Sequence, residues 1–292
     1  MAECIPGPFE TLATGFAFVE APRGAPDGSQ WFSDLLGGSV HRRDRDGSVR
    51  TVLTGRNWVG GIVHDASGHV LCSGRGGIVA LDPATGATRD VLTEIDGQPI
   101  IAVNDMEADG RGGLFGGTID FAAIMERGEA PSPGHLFHMD AGGKVTVLRR
   151  DVFASNGLAF SPCGRWLYHS ETSRGVWRYP LENGLAGAGE LIIPLDDSDG
   201  LVADSAGGLW VACWETGRLL HFTADGEQTR CLSTDAPHIV SLAFEPNDPH
   251  ALLVTTGGNA DVTGAGALLR LRVDVPGVAD HRTRLAMLET HA

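Results

Sequence analysis

Six times along this chain a short strand, a turn rich in Asp, Gly and Pro, and a second strand recur in the same order. This recurrence restricts the fold more than any other feature. The clearest copies are "VGGIVHDASGHVLCSG" from Val59, "VNDMEADGRGGLFGGT" from Val103, "SNGLAFSPCGRWLYHS" from Ser155 and "SDGLVADSAGGLWVAC" from Ser198. Weaker ones are "IVSLAFEPNDPHALLVTT" from Ile239 and "VEAPRGAPDGSQWFSD" from Val19. A second module follows each copy: residues 38–47, 77–86, 134–143, 175–184 and 217–226 each open and close on a glycine, and 266–277 is a looser sixth. Each is an alternating strand running into a tight turn, where glycine supplies positive φ without a side-chain clash.

The unit is therefore four short strands. The positions just before the first strand of each unit are Glu20, Gly60, Asn104, Asn156, Asp199 and Val240, spaced 40, 44, 52, 43 and 41 residues apart. That period predicts an all-β, six-bladed β-propeller with four antiparallel strands per blade, formed by residues 1–292 as a single domain. A solenoid would use shorter repeats, and a sandwich would not repeat two modules in phase. The last unit lacks a clear fourth strand, while "PFETLATGF" near the N-terminus has no first module before it. The N-terminal strand is expected to complete the last blade and remove two open edges. The C-terminal "RTRLAMLETHA" is the other candidate for that place.

In a propeller the innermost strands line a central channel, so those six positions form a ring at one mouth. Two carboxylates and two carboxamides meet there: Glu20, Asn104, Asn156 and Asp199. Hard oxygen donors converging on an axis suit one divalent cation, Ca²⁺, Mg²⁺, Mn²⁺ or Zn²⁺. The competing explanation is that Asn and Asp precede strands because they turn well, but Glu20 is a poor turn residue. The 11 histidines do not compete for the ion; His135 and His138, three apart in an outer strand, point to opposite faces.

Composition removes several classes. A formal net charge of −15 disfavours nucleic acid and anionic membrane surfaces as partners. No apolar run approaches the roughly eighteen residues of a membrane span, and "MAECIPGPFETL" lacks the pattern of an export leader. The 5 cysteines are odd in number, scattered and without a C-x-x-C pair, so reduced thiols in a cytoplasmic protein are expected, not a disulfide framework.

Taken in order, "EAP" at 20–22, "VND" at 103–105, "SNGLAFSPCGRWLYHSET" at 155–172 and "DGLVADSAGGLWVACW" at 199–214 resemble the regucalcin and gluconolactonase family, the senescence-marker-protein-30-like lactonases. The resemblance covers nearly the whole chain. It implies a divalent cation held by Glu20, Asn156 and Asp199, with Asn104 beside it contacting substrate or water. The departures lie on the substrate side. Where relatives carry Arg-x-Asn-Asp, this chain has "AVND", with Ala102 in place of the cation. A substrate-facing acid has Asp120 near its place and Ala122 at it by residue count, and "EGPxW" is reduced to "EAPRG".

Lactone opening needs charge stabilisation on the carbonyl oxygen and a base for water. Asp199 is the expected base as well as a ligand. The segment 119–133 is longer than its counterparts and can fold over the mouth with Phe121, Ile124 and Met125 toward a small-molecule lactone, or pack on its own blade. Trp214 can likewise reach the mouth or pack between blades. Loss of polar handles shifts the expected preference from sugar lactones toward less polar or aromatic ones. The alternatives are hydrolysis of other esters or phosphotriesters on the same site, and a non-catalytic propeller that binds calcium or a small molecule. There is no G-x-S-x-G elbow, P-loop or H-E-x-x-H motif.

Overall fold

The computed structural model describes residues 3–182, 184–259 and 262–289. It is a six-bladed β-propeller. Blade one is Val19–Gly24, Gln30–Asp34, Ser39–Arg43 and Val49–Leu53; blade two is Ile62–His64, Val70–Cys72, Ile78–Leu81 and Thr88–Leu92. Blade three is Ala102–Ala108, Leu114–Thr118, Gly134–Met139 and Val145–Val152; blade four is Ser155–Phe160, Trp166–Glu171, Gly175–Glu182 and Glu190–Ile193. Blade five is Ser198–Ala203, Leu209–Cys213, Arg218–Phe222 and Gln228–Ser233. In blade six, His238–Glu245, Asp248–Gly257 and Gly266–Arg272 are completed by Glu10–Phe16, which pairs antiparallel with the third of them. Joining the two ends of the chain in one sheet leaves that blade without an open third strand.

Apolar side chains that alternate along the strands meet between neighbouring blades. Trp31, Val40, Ile62 and Leu81 pack blade one on blade two, and Phe115, Leu136, Leu167 and Tyr179 pack blade three on blade four. Each such side chain, fully buried, contributes about 1.5–3 kcal/mol. The tight turns of the second modules carry the expected backbone, with φ of 88° at Gly47 and 85° at Gly226.

Two expectations need correction. The ring residues do not precede the inner strands: Glu20, Asn104, Asn156 and Asp199 lie within them, at register shifts spanning Glu20/Arg23, Val103/Met106, Ser155/Leu158 and Ser198/Leu201. A bulge carries two residues where the partner has one, and so re-aims a side chain out of the pleat. The step from Asn156 to Gly157 therefore makes no turn. A Cβ on Gly157 would sit 2.4 Å from the Leu201 nitrogen of the next blade, so glycine is there for close approach.

The thiols are also not all reduced, since Cys4 and Cys231 form a disulfide across 227 residues of sequence. Ile5–Pro6 joins the outer edge of blade five in parallel beside Leu232 and Ser233, bringing the two sulfurs together. Sequence distance concealed that pairing. Cys72, Cys163 and Cys213 are free.

Among the described residues, the chain after blade six adds no strand to a blade. It runs as a strap across the mouth where the inner strands end. Pro276 O accepts from Ser205 N at 2.8 Å, Thr283 N donates to His64 O at 3.1 Å, and Leu285 and Leu288 enter the core of blades two and three. The end of the quoted tail, residues 290–292, lies outside the described residues. Between strap and blades is a cavity of about 250 Å³, walled by Phe115, Phe160 and Phe244 with Glu107 and Asp280; no ring residue lines it.

Candidate active site at the mouth of the channel

The ring lies at the opposite mouth, where the inner strands begin. Hydrogen-bond donors and acceptors there leave little freedom of orientation. Asn104 Nδ2 donates to Ser155 O at 2.8 Å and to Asn156 Oδ1 at 2.5 Å. Thr172 donates its hydroxyl to Ser198 O at 2.7 Å, so it must accept from Asn156 Nδ2, 2.7 Å away. Asn156 is thus fixed on its nitrogen side by Thr172 of its own blade, itself tied to blade five, and on its oxygen side by blade three. Gly60 makes room for this arrangement: a Cβ there would lie 2.7 Å from Asn104 Oδ1. Val240, the sixth member, is fully buried and apolar.

The carboxylates are buried with little to balance them. Glu20 and Asp199 are each only 5% exposed. Burial pushes the Glu20 carboxyl well above its ordinary value, and Asp199 and Asp105 add repulsion. Asp199 is raised by burial first, then by Asp105 and Asp197. Among the described residues Asp199 Oδ1 is buried without a hydrogen-bond partner, a costly state that asks for a ligand. Beside Glu20, Ala21 holds φ at 43°, a left-handed backbone that costs a non-glycine residue about 1–2 kcal/mol.

Asp105 is the functional candidate that sequence reasoning passed over. It follows Asn104 in the bulge, is nearly buried, and is raised to about 6 by burial against the pull of Arg23. The "VND" motif contained it, but strict alternation would have turned it away from the axis; only the bulge brings both neighbours inward. His238 was also missed. Its ring lies 5.4 Å from Trp214 in a stacked arrangement and 5.8 Å from Phe18.

The remaining candidates divide. Phe121 is buried in an apolar cluster with Trp58, Leu35, Ala102 and Ile119. Asp120 Oδ1 accepts from Ala123 N at 2.9 Å, at the start of a π-helical turn, Ala122–Arg127, and Oδ2 accepts from Ser132 N at 3.3 Å. Burial would raise its carboxyl, but those hydrogen bonds outweigh it and hold it low. Both oxygens of Asp120 are committed to shaping the segment 119–133.

Among the described residues no three side chains drawn from His, Cys, Asp and Glu converge as an ion-holding group. A cation at the ring therefore depends on the Asn156 oxygen joining Glu20 and Asp199. The unpartnered Asp199 Oδ1 and the uncompensated carboxylates fit such an ion, whose charge would offset both.

Comparison with known proteins agrees with this architecture. The sequence pattern of the SMP-30/Gluconolactonase/LRE-like region matches residues 18–258. A 6-deoxy-6-sulfogluconolactonase of Pseudomonas putida is 32% identical over 265 residues, covering 86% of this chain and 89% of that protein. The pentonolactonase XacC of Haloferax volcanii is 30% identical over 286 residues, covering 90% and 94%. Among solved structures, a calcium-binding regucalcin from Agrobacterium tumefaciens superposes with a TM-score of 0.84 at 25% identity, covering 98% of this chain and all of that one.

Proposed function

This chain belongs to the SMP-30/gluconolactonase/LRE-like family, and from that premise we propose that it is a metal-dependent lactonase whose reaction takes place at the acidic ring. The observation that carries this reading is the buried, unbonded Asp199 Oδ1 beside a second buried carboxylate, Glu20. Glu20, Asn156 and Asp199 would hold one divalent cation, and their hard oxygens accept Ca²⁺, Mg²⁺, Mn²⁺ or Zn²⁺. When bound, such an ion offsets the repulsion among the carboxylates and supplies Lewis acidity to the lactone carbonyl. The similar proteins named for sulfogluconolactone, pentonolactone and calcium support both halves of the assignment.

Asp199 takes a proton from the attacking water as the new C–O bond forms at the carbonyl carbon. When the ring C–O bond breaks, Asp199 returns the proton to the leaving oxygen, and a hydroxy acid results. Asn104 keeps the Asn156 oxygen on the axis through its 2.5 Å hydrogen bond and lies within reach of substrate or water. Phe121 and Trp214 would give the mouth flat apolar flanks, and Asp120 would act by holding the 119–133 segment that carries Phe121.

The test is hydrolysis of a lactone panel, sugar-derived beside aromatic and aliphatic, by metal-stripped protein with and without each of the four cations. Turnover restored by an ion establishes the reading. Folded protein that binds the ion and opens no lactone would overturn it.

A further inference from the structure

Blade two contributes no side chain to the ring, because Gly60 occupies its position. What the blade offers instead is an arginine. After its second strand the chain leaves blade two, and Gly74–Arg75 pairs antiparallel with the inner strand of blade three, Gly74 opposite Val103 and Arg75 opposite Ala102. The Arg75 backbone thus lies two residues along from Asn104. The diversion needs glycine at 74, where φ is 142° and a Cβ would press on the carbonyl oxygens of Asn57 and Trp58 at 3.0 Å.

The Arg75 guanidinium stacks over Trp58 at 4.1 Å, and Trp58 packs against Phe121 with ring centres 5.8 Å apart. Its carboxylate partner is Glu126 of the π-helical turn, and the two side chains are 45% and 50% exposed. An ion pair that open to water holds weakly and exchanges readily for another anion.

A second guanidinium stands near it. Arg56 and Arg75 line the same cavity of about 380 Å³ together with Thr54, Asn57 and Thr88, and no carboxylate among the described residues lines it. Arg56 spends Nε on Ser73 O at 3.3 Å and Nη2 on Gly77 O at 2.8 Å, and has no carboxylate ion pair among the described residues. Ser73 in turn donates its hydroxyl to Asn104 O at 2.5 Å, which ties the arginine site to the ring. In a chain of net charge −15 the two arginines concentrate positive charge at this cavity, with the exposed Glu126 as the ion-pair partner of Arg75. Planar guanidinium held on an aromatic face is suited to a carboxylate, sulfonate or phosphate.

We propose that Arg75, supported by Arg56, is the anion-recognition subsite of this protein, and that its substrates are lactones carrying an oxyanion substituent. The proposal rests on the lactonase reading for the word substrate, but not for the anion site itself. Two measurements separate the two.

In the first, inorganic sulfate is titrated into the whole protein and binding is followed by calorimetry, with the Arg75 Nε–H NMR signal marking the site in every protein that retains it. Wild type responds saturably, Arg75→Gln and Arg56→Gln weaken binding about tenfold or more, and Glu126→Gln strengthens it by removing the internal competitor. A merely structural Arg75–Glu126 pair predicts no gain in Glu126→Gln, and that result, or no response in wild type, overturns the proposal.

In the second, matched lactones with and without a carboxylate or sulfonate are compared. Arg75→Gln lowers kcat/KM about 10- to 100-fold for the charged member, chiefly through KM, and less than about threefold for the neutral one. Equal losses on both members overturn the specificity role. If wild type opens neither member, the lactonase reading fails and the sulfate titration alone decides the anion site.

Discussion

The two mouths of the central channel contain similar side chains in opposite states. At the strapped mouth, Arg23 donates to Ile62 O at 2.9 Å, Met106 O at 3.1 Å and Glu107 Oε2 at 2.7 Å, and Asp280 lies 4.0 Å from its other nitrogen. There a buried acid has a cation, and the cation has its carbonyls. At the open mouth Glu20, Asp105 and Asp199 share burial and mutual repulsion, and among the described residues Asp199 keeps an oxygen with no hydrogen-bond partner. The difference separates a cluster whose buried polar atoms find partners from one that leaves an oxygen unmet. A fold keeps the second kind where chemistry requires it.

The largest expected effect tests that division directly. Asp199→Asn keeps the shape of the side chain and removes the proposed base, so kcat is expected to fall on the order of 10²- to 10⁴-fold with folding intact. The metal-free variant melts no lower than wild type and is expected to melt higher, because a buried repulsion is gone. Comparable turnover with metal bound would remove Asp199 from the role of base, and a large fall in melting temperature would place the ring among the structural clusters.

Gly60→Ala comes next. Its Cβ would meet Asn104 Oδ1 at 2.7 Å, displacing the side chain that orients Asn156. A shift near an ångström at a catalytic group costs up to about 10²-fold, so turnover falls at least about tenfold while stability changes little. Unchanged turnover shows that the Asn104–Asn156 contact has no part in catalysis.

At the strapped mouth the expectation reverses. Asp65 accepts from the Thr283 hydroxyl at 2.7 Å and Leu285 N at 3.1 Å, all buried. Asp65→Ala orphans both donors at about 1–3 kcal/mol each, so thermal melting drops by about 5–10 °C while kcat per folded molecule stays within about twofold. A large loss of kcat would show that the two mouths are coupled.

How much of this could be read beforehand follows from the kind of information each feature needs. The blades, their number and the ring membership of Glu20, Asn104, Asn156 and Asp199 rest on period and local pattern, which a sequence displays. The bulges do not, because a register shift is a relation between two strands, and for that reason nothing in the sequence assigns Asp105 a place at the ring beside Asn104. Asp120 was recognised as an acid near the mouth, but its two oxygens turn to Ala123 N and Ser132 N. The disulfide, the strap and the Arg75–Ala102 pairing join residues 227, 218 and 27 positions apart, and no local pattern encodes such contacts.

The smallest expected effect separates the mouths by pH. Burial pushes Glu107 up to about 8, against Arg23 beside it. Glu20 and Asp199 are raised as well. A raised carboxyl is protonated in the folded chain while the unfolded chain is already ionised, so its stabilising contribution is complete below the ordinary carboxylate value. That contribution is lost as pH climbs through the folded value. Metal-free protein is therefore expected to melt progressively lower from about pH 5 to about pH 8. A saturating divalent cation compensates the carboxylates of the open mouth and flattens their share of the slope, but does not reach Glu107. The slope that persists with the ion bound, a few degrees or less, should shrink in Glu107→Gln, which retains an oxygen to accept from Arg23, leaving the share of Asp280, which burial also raises. If the ion abolishes the whole slope, Glu107 is held ionised by Arg23 and the strapped mouth is a satisfied ion pair at every pH in the range. If Glu107→Gln removes the whole slope without any ion, the carboxylates of the ring are not the uncompensated cluster that a metal site requires.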